Sequence, residues 1–242
     1  MASKSGGIAR LFLRRWGLLP LLTCWLVAAD DVHAADYKIL RAQSVFVIVT
    51  HKGGFAAGAA HNHVVAASGY KARFELEESN PLLSRFQMEL ATEDLVVDDP
   101  EQRQKWYPRL EALAILDEPF NELSEKDRAK IRETMLSKKQ LDASAFPEIT
   151  ARVEEVVAQS STLGNVELPY RVMLRLNVHG QEVVKSVAAR YERDGEKVLI
   201  EAVGVFRFED FGIKPYSALL GAVKNKNEFH IYAAVVAVPM EK

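Results

Sequence analysis

Three of the six histidines, His51, His61 and His63, fall within residues 44–65 (SVFVIVTHKGGFAAGAAHNHVV). Residues two apart on a strand share a face. His61 and His63 would therefore set two imidazoles side by side, an arrangement that suits zinc or copper. His51, across the glycine turn, is the candidate third ligand. The plainer alternative is a polar His-Asn-His on an exposed strand rim. His179 reads as a turn residue and His230 as a sheet histidine with its polar needs met. A second polar set, Arg207, Asp210 and Lys214, flanks Phe211-Gly212. It could be a basic spot for a phosphate or other anionic head group, or a salt-bridged turn. Catalysis finds little support. There is no cysteine after position 24, no Gly-x-Ser-x-Gly elbow and no His-Glu-x-x-His pair.

The elements that must position these residues follow from composition and periodicity. A net charge of −2 leaves no basic excess for phosphate backbones, so nucleic acid is not an expected partner. Residues 1–34 read as a cleaved secretory signal. Lys4, Arg10, Arg14 and Arg15 precede the apolar run 16–29, and Val32-His33-Ala34 offers a small–x–small cleavage pattern. That run is short for a membrane span. The expected location is therefore the periplasm, and the single cysteine, Cys24, would leave with the leader, so no disulfide is expected.

From residue 35 onward the pattern is mostly period two. Residues 37–50, 61–67, 70–76 and 84–90 read as strands. The first is apolar on both sides, which predicts cover on both faces. Glu101 opens a helical insert, about 101–139, in which Pro100, Pro108 and Pro119 are expected to act as breaks. Ser124 caps its second part, with Asp127 at the third helical position. Alternation resumes over 148–157, 166–178, 182–193, 196–208 and 227–238, with Asp194-Gly195 as a tight hairpin turn. This predicts an all-β, antiparallel barrel of about eight strands, spanning 35–242, with a helical insert between its halves. Its inward apolar rows include Phe46, Phe74, Phe86, Val172, Leu174, Phe206, Phe229 and Ile231. Periodicity alone does not say whether such a lumen is filled or hollow.

Several segments in order resemble the YceI-like family. They are Ser44-Val45-Phe46 leading through His51 into the Gly53 turn; Met135, Ser137, Leu141-Asp142-Ala143 and Phe146-Pro147-Glu148-Ile149; residues 174–180 (LRLNVHG); and residues 206–213 (FRFEDFGI). The resemblance implies an exported lipocalin-like barrel, not an enzyme, that holds an isoprenoid or fatty chain in its lumen and requires no cofactor. Phe46, Phe74, Phe86, Leu174, Phe206 and Phe229 would line that lumen, and Arg207 and Lys214 would meet the head group. The chain departs from the family in its longer insert, in Ala60-His61-Asn62-His63, and in the displaced arginine before Asp210-Phe211-Gly212. The rival expectation is a metal-binding or redox-partner protein using His51, His61 and His63 with zinc or copper. A homodimer and a transient membrane contact are compatible with either.

Overall fold

The structure is a computed structural model that describes residues 35–77, 79–116 and 122–240. The expected signal segment and Pro119 lie outside the described residues. The first half of the chain forms β1 (Ala35–Ile39), β2 (Val45–Gly53), β3 (His63–Ala67), β4 (Lys71–Leu76), β5 (Arg85–Ala91) and β6 (Leu95–Val97). Two helices follow, α1 (Pro100–Ala112) and α2 (Glu125–Leu136). The second half forms β7 (Glu148–Leu163), β8 (Val166–Val178), β9 (Gln181–Asp194), β10 (Lys197–Arg207), β11 (Ser217–Ala218) and β12 (Val223–Pro239).

Pairing closes this set into an eight-stranded antiparallel barrel with extra strands. In the first half, each long barrel strand is made of two segments. Both β1 and β2 pair with β12, through Tyr37 opposite Pro239 and Val47 opposite Tyr232. They are one strand broken at Arg41–Gln43 by a 3-10 turn. The pairs β3/β4 and β5/β6 continue the pattern. β4 pairs with β1 and β5, while β3 pairs with β2 and β6. The uninterrupted strand expected over 37–50 is therefore corrected. Ser44 explains the break: its hydroxyl donates to the Leu40 carbonyl at 2.9 Å and accepts from Val236 N–H at 3.0 Å, supplying bonds the ladder loses there. β6 is a strand that the short 95–97 run did not announce.

The two faces of β2 are covered differently. Val45, Val47 and Val49 point outward and pack with Leu110 and Leu113 of the α1 region, together with Tyr232 and Ala234 of β12. Phe46 and Ile48 point into the barrel. Cover on both faces is thus borne out, with α1 as the outer layer. Helix α1 begins where Asp99 caps it, its Oδ1 accepting from Gln102 N–H at 2.9 Å, with Pro100 in the first turn.

Pro108 does not break α1 but lies inside it. A mid-helix proline costs about 3 kcal/mol. The neighbouring anchors offset this: Leu110 is fully buried, and Arg109 reaches the buried Glu201 of β10. Glu201 Oε1 also accepts from Tyr232 Oη at 2.7 Å, and Arg190 of β9 bonds the second carboxylate oxygen. Burial alone would raise the Glu201 pKa. The hydrogen bonds from Arg109, Tyr232 and Arg190 outweigh it and hold the carboxyl below its ordinary range. This network fixes α1 to the barrel wall.

Helix α2 starts as expected. Ser124 Oγ accepts from Asp127 N–H at 3.1 Å and donates to the Asp127 carboxylate at 2.6 Å. Its Ile131 and Met135, with Leu141 beyond it, pack against the lumen core rather than the outer wall.

Candidate ligand-binding lumen

Period-two alternation turns one row of each strand into the barrel, and those rows leave space. A cavity of about 670 Å³ is bounded by residues from most of the barrel strands and roofed in part by α2. That volume falls within the range of small-molecule sites. Phe46, Phe74, Phe86, Leu174 and Phe229 line it, as do Val172 and Ile231. Phe206 does not. It is fully buried behind the lining, its ring 6.1 Å from those of both Phe211 and Phe229. Phe211 and Phe229 carry the cavity surface there while Phe206 packs behind them as core filler, so the lumen expectation is corrected at Phe206.

Polar groups on the lining are few, and some collect near the end of β2. Thr50 and His63 are register partners, and both face the cavity along with His61. Thr50 Oγ1 is buried without a hydrogen-bond partner. His63 Nδ1 lies 2.6 Å from Asp98 Oδ2, and Asp98 is itself buried. Asp98 Oδ1 accepts from Val64 N–H at 2.9 Å and from Arg103 Nη1 at 3.0 Å. Asp98 thus fixes His63, the adjacent strand and α1 at once, from a left-handed backbone position (φ 49°) that aspartate tolerates. Ser84 Oγ is a second unpartnered buried hydroxyl, on the lining beside Arg85.

The structure does not bring the three expected metal ligands together. His51 points to the outer face, where its Nε2 lies 2.8 Å from Nδ1 of His230. Burial lowers the His230 pKa, with Glu228 pulling weakly the other way. Among the described residues no group of three or more His, Cys, Asp or Glu side chains is placed to hold a metal ion. His61 and His63 both line the cavity, but β3 begins only at His63. The strand expected from residue 61 is therefore shortened, and His61 reaches the lumen from the segment before it rather than by strand alternation. His179 is a turn residue as expected, at φ 53°, with Nδ1 3.1 Å from the Phe211 carbonyl.

The expected head-group residues also lie off the lining. Arg207 is exposed and reaches Glu228 at 3.4 Å, and Lys214 is exposed. Asp210 accepts from Arg207 N–H at 2.9 Å and from Lys185. Burial acts to raise the Asp210 pKa, but Lys185 and the Arg207 amide outweigh it and lower the value. This geometry is that of a salt-bridged turn. Sequence reasoning missed Thr50 and Asp98. Thr50 carried a signal, as the polar member of the inward row Phe46, Ile48, Thr50. Asp98 carried none, because its partners come from residues that are distant in sequence or hidden in a helix.

An eight-stranded antiparallel barrel around an apolar, internally accessible cavity defines a lipocalin-like architecture. Residues 47–237 match the model of the YceI-like domain, and the chain belongs to that family. Among solved structures it is similar to BcnA of Burkholderia cenocepacia, at 13% identity and TM-score 0.58, covering 83% of this chain and 100% of that one. A polyisoprenoid binding domain from Saccharophagus degradans matches at 8% identity and TM-score 0.47, covering 86% and 99%. The YCEI protein of Campylobacter jejuni matches at 9% identity and TM-score 0.45, covering 74% and 85%. No curated protein matches the chain.

Proposed function

We propose that the protein binds an amphiphilic small molecule with a long isoprenoid or fatty chain in its lumen, for carriage or sequestration outside the cytoplasm. The observation that carries this is the continuous apolar cavity of about 670 Å³ inside a closed wall. Each methylene buried there contributes about 0.8 kcal/mol, so a long chain binds without any charged contact. Family membership supports binding rather than catalysis, and the leader-like residues 1–34 support export to the periplasm. The polar head is met by Thr50, His61 and His63 rather than by Arg207 and Lys214. Thr50 offers a buried hydroxyl with no partner, and Asp98 holds His63 in place.

Displacement of a fluorescent fatty acid tests the reading. A long-chain isoprenoid alcohol should compete, and Thr50→Val with His63→Ala should weaken the alcohol more than a hydrocarbon of equal length. Equal weakening of both would remove the head-group assignment. Failure of any chain to compete would remove the lumen reading.

A second reading keeps zinc or copper at His61 and His63. The Asp98 carboxylate behind His63 is the kind of partner that orients metal-bound imidazoles. Metal analysis of the purified protein tests it, with His61→Ala and His63→Ala each expected to abolish a stoichiometric ion.

A further inference from the structure

Two loops at one end of the barrel carry large apolar side chains that fold stability does not call for. Phe55 is 89% exposed, Leu219 74% and Leu220 fully exposed. The loops touch. Ala56 N–H donates to the Ala222 carbonyl at 2.9 Å, and Gly54, at φ 92°, lies so close to Gly221 and Ala222 that a Cβ would strike their carbonyl oxygens. The three side chains therefore flank one contact and form a single apolar tip. Leu219 and Leu220 also hold left-handed backbone angles, φ 51° and 56°, a conformation that glycine or asparagine adopts more easily. Neither exposure nor backbone geometry is helped by leucine at these positions.

Within the two loops the charged side chains are all basic, and the nearest acids on β12 and after β10, Glu228 and Asp210, are paired with Arg207 and Lys185. Residues 52–62 and 211–227 contain Lys52, Lys214, Lys224 and Lys226 and no aspartate or glutamate. Lys224 pairs with Gly53 and with Ser217, Lys226 runs beside Gly53, and both lysines are exposed. The same loops reach the lumen: Tyr216, Asn225 and His61 lie on its lining.

We infer that this tip docks on an anionic lipid bilayer, with Phe55, Leu219 and Leu220 entering the interface and the lysines resting on the head groups. Apolar burial combined with basic residues is what interfacial anchoring requires. A protein partner would need a shaped counterpart. A bilayer needs only apolar depth and negative charge, which are what the tip complements. Docking there brings the end of the lumen lined by Tyr216, Asn225 and His61 toward the membrane surface. The inference stands apart from the lumen reading, because the tip is exposed whether or not the lumen is filled.

Co-sedimentation with vesicles tests it. The protein should bind phosphatidylglycerol vesicles, bind phosphatidylcholine vesicles far more weakly, and release as salt rises. The triple variant Phe55→Ser, Leu219→Ser, Leu220→Ser should lose roughly a hundred-fold or more in binding. Lys224→Gln and Lys226→Gln should each lose about five-fold on the anionic vesicles alone. Since the substituted side chains are exposed, the triple variant should keep its unfolding midpoint and its fatty-acid binding, which separates loss of docking from loss of the lumen. Unchanged vesicle binding by the triple variant overturns the inference. So does a wild-type protein that ignores vesicles and dimerises through the tip, shown by ultracentrifugation as a dimer that the triple variant dissolves.

Discussion

Ala233 and Ala234 are neighbours on β12, yet one lines an open lumen and the other lies sealed under α1. The same division runs along β2, where Phe46 and Ile48 face the cavity and Val45, Val47 and Val49 face the helix. Both faces are apolar, so hydrophobicity does not separate them. The difference lies in what closes each side. On the outer face α1 supplies Leu110 and Leu113 and is locked by Arg109 on Glu201. On the inner face the facing walls are too far apart to interdigitate, and α2 roofs the space without filling it. A closed barrel thus keeps an open interior while α1 packs and locks its outer face.

The largest expected effect breaks the outer face. Glu201→Ala removes the acceptor shared by Arg109, Arg190 and Tyr232 and strands buried polar groups, which should cost about 3–5 kcal/mol in urea unfolding. The Glu201 carboxyl is held below its unfolded pKa. Its contribution is therefore full above the unfolded value and fades as pH falls through the folded one, so the wild type should lose stability in acid and Glu201→Ala should lose less.

Next come paired truncations. Leu110→Ala, under the helix, should cost about 2–5 kcal/mol. Leu174→Ala, on the lumen wall, already borders open space and should cost about 1–1.5 kcal/mol. Equal costs would show the lumen to be as tightly packed as the outer face. Enlarging the two alanines sharpens the same contrast. Ala234→Leu has no space to enter and should cost about 1–3 kcal/mol. Ala233→Leu should be nearly neutral in unfolding and should lower fatty-acid affinity, as read by fluorescence displacement.

The smallest effect comes from the outer histidine pair. Burial depresses the His230 pKa, so below about pH 6.5 the unfolded chain binds the proton more readily and stability rises with pH. His230→Asn should flatten that slope, measured as the unfolding midpoint across pH 5–7.

Much of this plan was legible in the sequence. Alternation in 70–76, 84–90 and 166–178 placed β4, β5 and β8, and Ser124 placed the start of α2. The β9–β10 turn expected at Asp194-Gly195 falls one residue later, at Gly195-Glu196, with Asp194 paired to Lys197. The break between β1 and β2 was not legible, because it depends on Ser44 bonding across to Val236, and such a bond leaves no mark on periodicity. The docking of α1 left only one trace, a lone glutamate inside the apolar run of β10. The histidines divide in the same way. His61 and His63 both face the lumen, His63 from the inward row of β3 and His61 from the segment just before that strand. His51 continues the outer row of β2 after Val45, Val47 and Val49, so alternation sends it away from Thr50 and His63 and beside His230 on the outside. Local rules fixed faces, while distant partners decided which face was filled.

Native mass spectrometry of the protein purified from an exported fraction tests the central claim most directly. The account predicts a single non-covalent adduct of lipid-like mass, or stoichiometric uptake of an added long-chain isoprenoid alcohol, with occupancy reduced in Ala233→Leu and retained in the outer-face variant His230→Asn. A protein that carries no adduct and takes up no chain, with Ala233→Leu indistinguishable from wild type, would contradict it.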